Sequence, residues 1–348
     1  MNKTQIYLDS LPSNVIYIDI SRQKLTEFPD LSRFTNLREL HCNGNKLKNI
    51  TINKTIETLY CNYNCLEELP SLSENLKILD CSKNLLKNLP YLKNSRNLMN
   101  LYCSENELTE LPDLNENLEK LICFDNNLIK LPKFNKNLKR INCSYNNLET
   151  LSLFNENLIE IVCTSNHILD IPYLNKNLTH LYCNNNKLTC LPLLNENLID
   201  LCCGNNFLSN LPRLNKKLKF IYCSNNFIVN LPAINTDSQL EILNCCNNKL
   251  IYLPTIQNDL KFLFCEDNPV YSLLNQEYNN IDIVKYKIKK INKFRHLYFC
   301  LKFKHQFHNW LWEKIRKPKI EEKYKPENLL KMLNNSNDIN TELIFGDW

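Results

Sequence analysis

The chain of 348 residues carries 42 Lys and Arg against 37 Asp and Glu, a formal net charge of +5, with 43% hydrophobic and 23% charged residues. That composition excludes a disordered chain, and no apolar run reaches the roughly 18 residues that a membrane-spanning helix needs. The first segment, MNKTQIYLDSLPSN, lacks the apolar stretch and small-residue cleavage site of a secretory signal. Residues 1–14 therefore read as an N-terminal cap. Seventeen cysteines would suggest disulfides in a secreted protein. Without a signal the expectation is an intracellular, reducing compartment such as a host cytoplasm, with free thiols. Asn-x-Ser/Thr sites such as Asn177-Leu178-Thr179 are then expected to be unmodified.

Residues 15–270 repeat one pattern, L-x-x-L-x-C-x-x-N-x-L. Its cysteines are Cys42, Cys61, Cys81, Cys103, Cys123, Cys143, Cys163, Cys183, Cys203, Cys223, Cys245 and Cys265, spaced by 20 residues with one step of 19 and two of 22. An earlier copy from Val15 has Ile20 in the Cys place and Gln23 in the Asn place, making thirteen copies. In LEKLICFDNNL, Leu121 and Cys123 stand two apart and point to one face of a short strand, while Ile122 points to the other. Asn126 follows the strand, where its amide can satisfy turn N–H and C=O groups inside a crowded core. The return, LIKLPKFN, carries a proline that favours an extended path and argues against a helix. A single unit cannot bury its apolar edge, but stacked units cover one another. The expected fold is a mostly β solenoid of the α/β type: about thirteen parallel strands, an extended convex side and a C-terminal α-helical cap.

The repeat resembles the leucine-rich repeat family over about Val15 to Val270. Its LPxLNxNL return is similar to the short twenty-residue class of bacterial effector proteins, whose return reads LPxLP. The Cys-for-Leu habit and the Asn, Lys and Ile bias resemble leucine-rich repeat proteins of giant, mimivirus-like DNA viruses. The stretch from Phe307, FHNWLWEKIRKPKIEEKYKPENLLKML, resembles tails on proteins of those viruses. The resemblance implies a scaffold for a protein partner, and by analogy alone an adaptor for ubiquitin machinery.

The cysteine column, Cys123, Cys143, Cys163 and Cys183 at its centre, reads as a buried layer of small hydrophobes, beside an asparagine column at Asn126, Asn146, Asn166 and Asn186. Adjacent strands about 4.8 Å apart would not by geometry exclude disulfides, but a straight ladder does not offer zinc its tetrahedral ligands. Off the column, Cys202 is expected to face solvent as the most reactive thiol. Binding should use the side chains that alternate away from the core: His41, Tyr60, Tyr102, Tyr182, Phe220, Tyr222, Phe262 and Phe264. With Ile242, the last four of these form an aromatic patch over the final three strands, of the kind that marks an interface, or that the tail itself could cover. The loop residues Tyr63, Lys83, Glu105, Asp125 and Tyr145 carry mixed charge and form neither an acidic metal cluster nor a basic stripe.

Residues 271–348 read as a basic helical cap or tail. From Lys285 to Lys319 there are twelve Lys and Arg against the single acid Glu313, including Lys285, Lys289, Lys290, Lys293, Arg295, Lys302 and Lys304. Ile281, Val284, Ile288, Ile291, Phe294, Tyr298 and Leu301 step at helical spacing. Pro318 is expected to end this helix at or before Lys317, and Pro326 to open a short one, PENLLKMLNN. One reading makes the apolar face a cap on the last repeat; the other makes the basic aromatic helix a contact for nucleic acid or an anionic membrane surface. His296, His305 and His308 are assigned no metal partners. Cys300, in LYFCLKF, is read as a buried and poor nucleophile. No phosphate loop, G-x-S-x-G, H-E-x-x-H or kinase motif occurs. The expectation is a non-enzymatic scaffold without cofactor, metal or small-molecule substrate, binding an unidentified protein on its concave face.

Overall fold

The computed structural model describes residues 3–256, 259–274 and 281–328. It divides into two compact units, Met1–Ile288 and Lys289–Trp348. The first unit opens with helix α1 (Lys3–Ser10), which buries Thr4 and Leu8. The Arg33 guanidinium donates to the carbonyls of Leu8 and Leu11 and stacks over Phe34, tying the helix to the first full repeat.

Thirteen short strands follow in one parallel sheet, each paired with its neighbours in chain order. They are β1 Tyr17–Asp19, β2 Glu39–His41, β3 Thr58–Tyr60, β4 Ile78–Asp80, β5 Asn100–Tyr102, β6 Lys120–Ile122, β7 Arg140–Asn142, β8 Glu160–Val162, β9 His180–Tyr182, β10 Asp200–Cys202, β11 Phe220–Tyr222, β12 Ile242–Asn244 and β13 Phe262–Phe264. In every strand the central residue is buried and its two flanking residues are not. Register is in step throughout: Leu121 faces Ile141, which faces Ile161. A one-residue slip would turn each buried Leu or Ile to water, so the burial pattern pins the pairing.

The core is built from the same positions in every turn. Leu118, Leu121, Cys123 and Leu128 are fully buried, as are Leu138, Cys143 and Leu148 one turn later. Each such leucine contributes about 1.5–3 kcal/mol by leaving water, but only because a neighbouring turn covers it. The return is extended, as the prolines require. A 3-10 turn, Leu92–Asn94, falls in one of the two repeats lengthened to 22 residues, where the extra chain must be taken up.

Backbone geometry after each strand differs from an ordinary loop. Tyr63, Lys83, Glu105, Asp125 and Tyr145 have φ between 52° and 56°. The strained column continues through Ser165, Asn185, Asn205, Asn225, Asn247 and Asp267. A left-handed non-glycine residue costs about 1–2 kcal/mol. The turn persists because it directs successive amides to the next repeat: Asp125 N–H donates to Ser144 O at 2.9 Å and Asn126 N–H to Tyr145 O at 3.2 Å.

After β13, helix α2 spans Tyr271–Leu274 and helix α3 spans Ile281–Lys302. Within the first unit Val270, Leu274, Val284 and Ile288 are buried, and Lys287 Nζ donates to Leu274 O at 3.1 Å. The second unit holds the rest of α3, α4 (Lys304–Leu311), a π turn at Trp312–Arg316 and α5 (Lys317–Lys323). Helical backbone thus runs past Pro318, contrary to the sequence expectation. The proline occupies the first turn of α5, where a missing N–H costs nothing. The expected helix from Pro326 is helical to Asn328; its remainder, and the acidic segment ending at Trp348, lie outside the described residues.

Candidate binding surface

The inner side of the sheet shows why cysteine replaces leucine. Cys143 N–H donates to Val162 O at 2.8 Å, and its thiol reaches the same carbonyl at 3.6 Å. Cys163 and Cys245 repeat this at 3.4 and 3.3 Å. A small residue fits the layer where the chain turns, and its S–H finds an acceptor that a leucine would leave alone. Burial pushes the thiols of Cys42, Cys143, Cys183 and Cys223 up to about 12. They stay protonated and inert. The described residues contain no group of three or more His, Cys, Asp or Glu side chains that could hold a metal ion.

Beside the thiols runs the asparagine column, with Asn126, Asn146, Asn166 and Asn186 all buried. Each amide bridges two turns. Asn126 Nδ2 donates to Cys123 O in its own turn and Cys103 O in the preceding one, at 3.2 and 3.0 Å, while its Oδ1 accepts from Leu108 N–H at 3.0 Å. Two further asparagine columns on the return escaped the sequence reading. Asn135 Nδ2 donates to Leu118 O, 17 residues back, at 3.0 Å, and Asn137 Nδ2 to Glu116 O, 21 residues back, at 2.8 Å. Asn155, Asn175 and Asn195, and Asn157, Asn177 and Asn197, do the same. The twice-written Asn of LNxNL was the signal for both.

The other side of the sheet carries the residues singled out for binding. Between each central Leu or Ile and its Cys stand His41, Tyr60, Tyr102, Tyr182 and Tyr222, half-buried, and the exposed Phe264. Before the central residue stand Phe220, half-buried, and Phe262, exposed. Phe220, Ile242 and Phe262 are direct register partners, as are Tyr222, Asn244 and Phe264, so the final three strands do gather an aromatic surface. Phe262 and Phe264 stack at 6.4 Å. At the other end, His41 lies edge-on between Tyr17 and Tyr60, with centroids 5.2 and 4.7 Å away, and meets Glu39 Oε1 at 2.8 Å.

Cys202 is not the reactive thiol the sequence suggested. It is half-buried; burial and the adjacent Asp200 carboxylate raise its pKa far above the ordinary thiol value. Asp200 also accepts the Tyr182 hydroxyl at 2.7 Å, and burial together with this carboxylate raises the Tyr182 pKa. Cys300 is corrected as well: it is exposed, with Sγ 3.2 Å from His296 Nδ1. The two lie four residues apart on α3 and meet across one helical turn.

Within the second unit, Lys289, Lys290, Lys293, Lys302 and Lys304 are exposed, and Arg295 is half-buried over the Phe299 ring. Lys285, at the end of the first unit, faces Asp282 at 3.8 Å. The helical apolar face is buried at Val284 and Ile288 only; Phe294, Tyr298 and Leu301 are 58–70% exposed. On the return side Leu153, Tyr173 and Leu193 stand 20 residues apart and 78–86% exposed. In the sequence this apolar stripe is the residue after each return Pro or its equivalent, outside the period-two alternation of the strands.

Stacked parallel strands with one buried Leu or Ile each, bridged by an asparagine column, are a specific architecture. YopM from Yersinia enterocolitica WA-314 shares it, at 32% identity and a TM-score of 0.71, with 75% of this chain and 57% of that chain covered. The fold is that of leucine-rich repeat proteins. The functional domain of InlJ from Listeria monocytogenes, which includes a cysteine ladder, is similar at 26% identity and a TM-score of 0.54, covering 68% of this chain and 59% of that one. A stretch of 81 residues is 40% identical to adenylate cyclase of Schizosaccharomyces pombe, spanning 21% of this chain and 5% of that protein. The chain therefore spans 57% of the YopM chain and a small fragment of the cyclase. No family model matches the sequence. Leucine-rich repeat proteins are typically scaffolds for protein–protein contacts and generally non-enzymatic. No helix among the described residues is long and apolar enough to cross a membrane.

Proposed function

We propose that the chain is a non-enzymatic scaffold that binds a partner protein on the concave sheet face of the array at 15–270, with residues 1–14 as an N-terminal cap and 271–348 as a basic helical cap or tail. The observation that carries this reading is the aromatic surface of β11 to β13, where Phe262 and Phe264 are 54% and 41% exposed. Exposed rings on a rigid sheet lose little freedom on binding and offer large contact area. The Asn, Lys and Ile bias and the cysteine habit support an origin in a giant DNA virus, with a host cytoplasmic protein as the partner. An adaptor role toward ubiquitin machinery is compatible with this surface but has only analogy behind it.

Partner capture from source or host cells, with the intact chain and with a Tyr182→Ala, Tyr222→Ala, Phe264→Ala variant, tests the reading. The triple variant should lose captured partner at least ten-fold, since two central aromatic contacts of about 2 kcal/mol each would exceed that loss. Equal capture by both proteins moves the interface off this face.

A second reading has its own observation. The second unit combines exposed lysines with exposed rings: Lys302 lies 5.8 and 5.5 Å from the Tyr298 and Phe303 centroids. Such a helix suits an anionic surface, nucleic acid or membrane. Reversing Lys289, Lys293, Lys302 and Lys304 to Glu should then abolish binding to duplex DNA, RNA or phosphatidylserine vesicles at low salt. If the unaltered chain binds none of them, this second reading fails and the scaffold reading stands alone.

A further inference from the structure

We propose that Tyr60, Asp80 and Tyr102 form a cation subsite on the sheet face, which takes an ammonium or methylated ammonium group from a lysine side chain of the partner. The proposal rests on the reading of this face as a binding surface and specifies one piece of its chemistry.

The register sets the frame. Tyr60 pairs with Asp80, and Asp80 with Tyr102, on the consecutive strands β3, β4 and β5. Strands two apart are separated by about 9.6 Å. A cation above Asp80 is then about 5 Å from the axis of each flanking strand, a spacing that matches the ~6 Å range over which an aromatic ring attracts it. Both rings are engaged from their outer sides. His41 of β2 packs edge-on to Tyr60 at 4.7 Å, and Lys120 of β6 places its Nζ 5.0 Å from the Tyr102 centroid. Lys120 shows that the Tyr102 ring already accepts an ammonium on one side.

Asp80 supplies the floor. Its Oδ1 accepts the Ser82 N–H at 3.0 Å. Burial raises its pKa, opposed by the Ser82 backbone and hydroxyl, with no cation among the groups that act on it. The other acids of the strands are better served. Glu39 meets His41 at 2.8 Å, Glu160 meets Arg140 at 3.4 Å, and Asp200 accepts the Tyr182 hydroxyl at 2.7 Å. Asp19 takes the Ser21 N–H and the Tyr17 hydroxyl at 2.8 and 3.4 Å. Asp80 is thus a half-buried carboxylate between two tyrosines that, among the described residues, has no ion pair, unlike Glu39 and Glu160, and no tyrosine hydroxyl donating to it, unlike Asp200 and Asp19. A cation entering there gains both rings and the carboxylate at once.

Titration of the full chain with tetramethylammonium chloride, against sodium chloride at equal ionic strength, tests this with no partner present. Tyrosine ring resonances are followed by NMR and assigned with Tyr60→Phe and Tyr102→Phe. Tyr60 and Tyr102 should shift together along one saturable curve. Asp80→Asn should weaken that binding on the order of ten-fold. It should keep the turn, because Asn142 Oδ1 and Asn244 Oδ1 accept the equivalent N–H bonds, at 3.1 and 3.2 Å. Tyr102→Ala should abolish binding, while Tyr102→Phe should retain it. The proposal is overturned if Tyr60 and Tyr102 do not respond, if only the exposed Tyr63, Tyr145 and Tyr173 do, or if Asp80→Asn binds as tightly as the parent. The scaffold reading is judged separately, because its variants lie on β9, β11 and β13.

Discussion

Asn146→Ala is expected to destabilise the array by about 2–4 kcal/mol, because it orphans a buried amide and weakens two carbonyl contacts. Asn146 is 7% exposed. Its Oδ1 accepts the Leu128 N–H at 2.9 Å, and its Nδ2 donates at 3.1 Å to each of Cys123 O and Cys143 O. Those carbonyls retain partial service from Asn126 and Asn166, but the Leu128 amide has only the Asn146 oxygen. Asn146→Asp should be worse at neutral pH. It keeps an acceptor for Leu128, loses both donors and sets a buried charge against two carbonyl oxygens. Burial would raise that carboxyl above its unfolded value of about 3.9. The neutral acid would then be the favoured folded form. The aspartate variant should therefore regain stability as pH falls toward and below the unfolded value, and lose it as pH rises through the folded one. Guanidinium denaturation across pH, with hydrogen exchange at the Leu128 amide, gives the reading. A loss under about 1 kcal/mol for the alanine variant, with Leu128 still protected, would show that the bridging column does not hold the turns together.

The thiols should divide sharply in the native state. At pH 8 a soluble thiol reagent should modify the exposed Cys190 and Cys300 quickly and the half-buried Cys65 more slowly. It should modify Cys202 and Cys246 more slowly still, because burial and the neighbouring Asp200 and Glu266 carboxylates raise their pKa. Cys42, Cys143, Cys183 and Cys223 should resist. A shift to about 12 lowers the reactive thiolate at that pH by about 1000-fold, before access is considered. Ordinary thiols gain little reactivity above pH 9, whereas column thiols should gain about ten-fold per pH unit through that range until the array opens. Mass spectrometry of pulse-labelled peptides separates the classes. Rapid native labelling of Cys143 would contradict the packing described.

Much of this surface was legible in the residues themselves. Leu121, Cys123 and Asn126 recur at fixed spacing, and period-two alternation assigned Tyr60, Tyr102, Tyr182 and Tyr222 to the side opposite the cysteines. What remained hidden depends on partners supplied by another turn. Cys202 looked open because alternation places it outward, but the Asp200 carboxylate and neighbouring strands half-bury it. Asn135 and Asn137 looked like loop polarity until the preceding turn supplied their acceptors. Pro318 looked like a stop because a proline restricts the residue before it; instead a π turn at Trp312–Arg316 leads into α5 at Lys317, with Pro318 in its first turn.

The amino-acid pattern by itself determined a parallel stack of twenty-residue turns, since only stacking buries a Leu, a Cys and an Asn at the same places in every copy. The tertiary structure alone decided which polar groups are spent inside the stack and which stay available. That choice turns on contacts 17 to 25 residues apart, such as Asn146 to Cys123 and Asn106 to Cys81, which no local window of sequence contains. Asp80 shows the difference most plainly. Its place between two tyrosines arises from the pairing of three strands, and its lack of an ion pair among the described residues from what those strands do not bring near it.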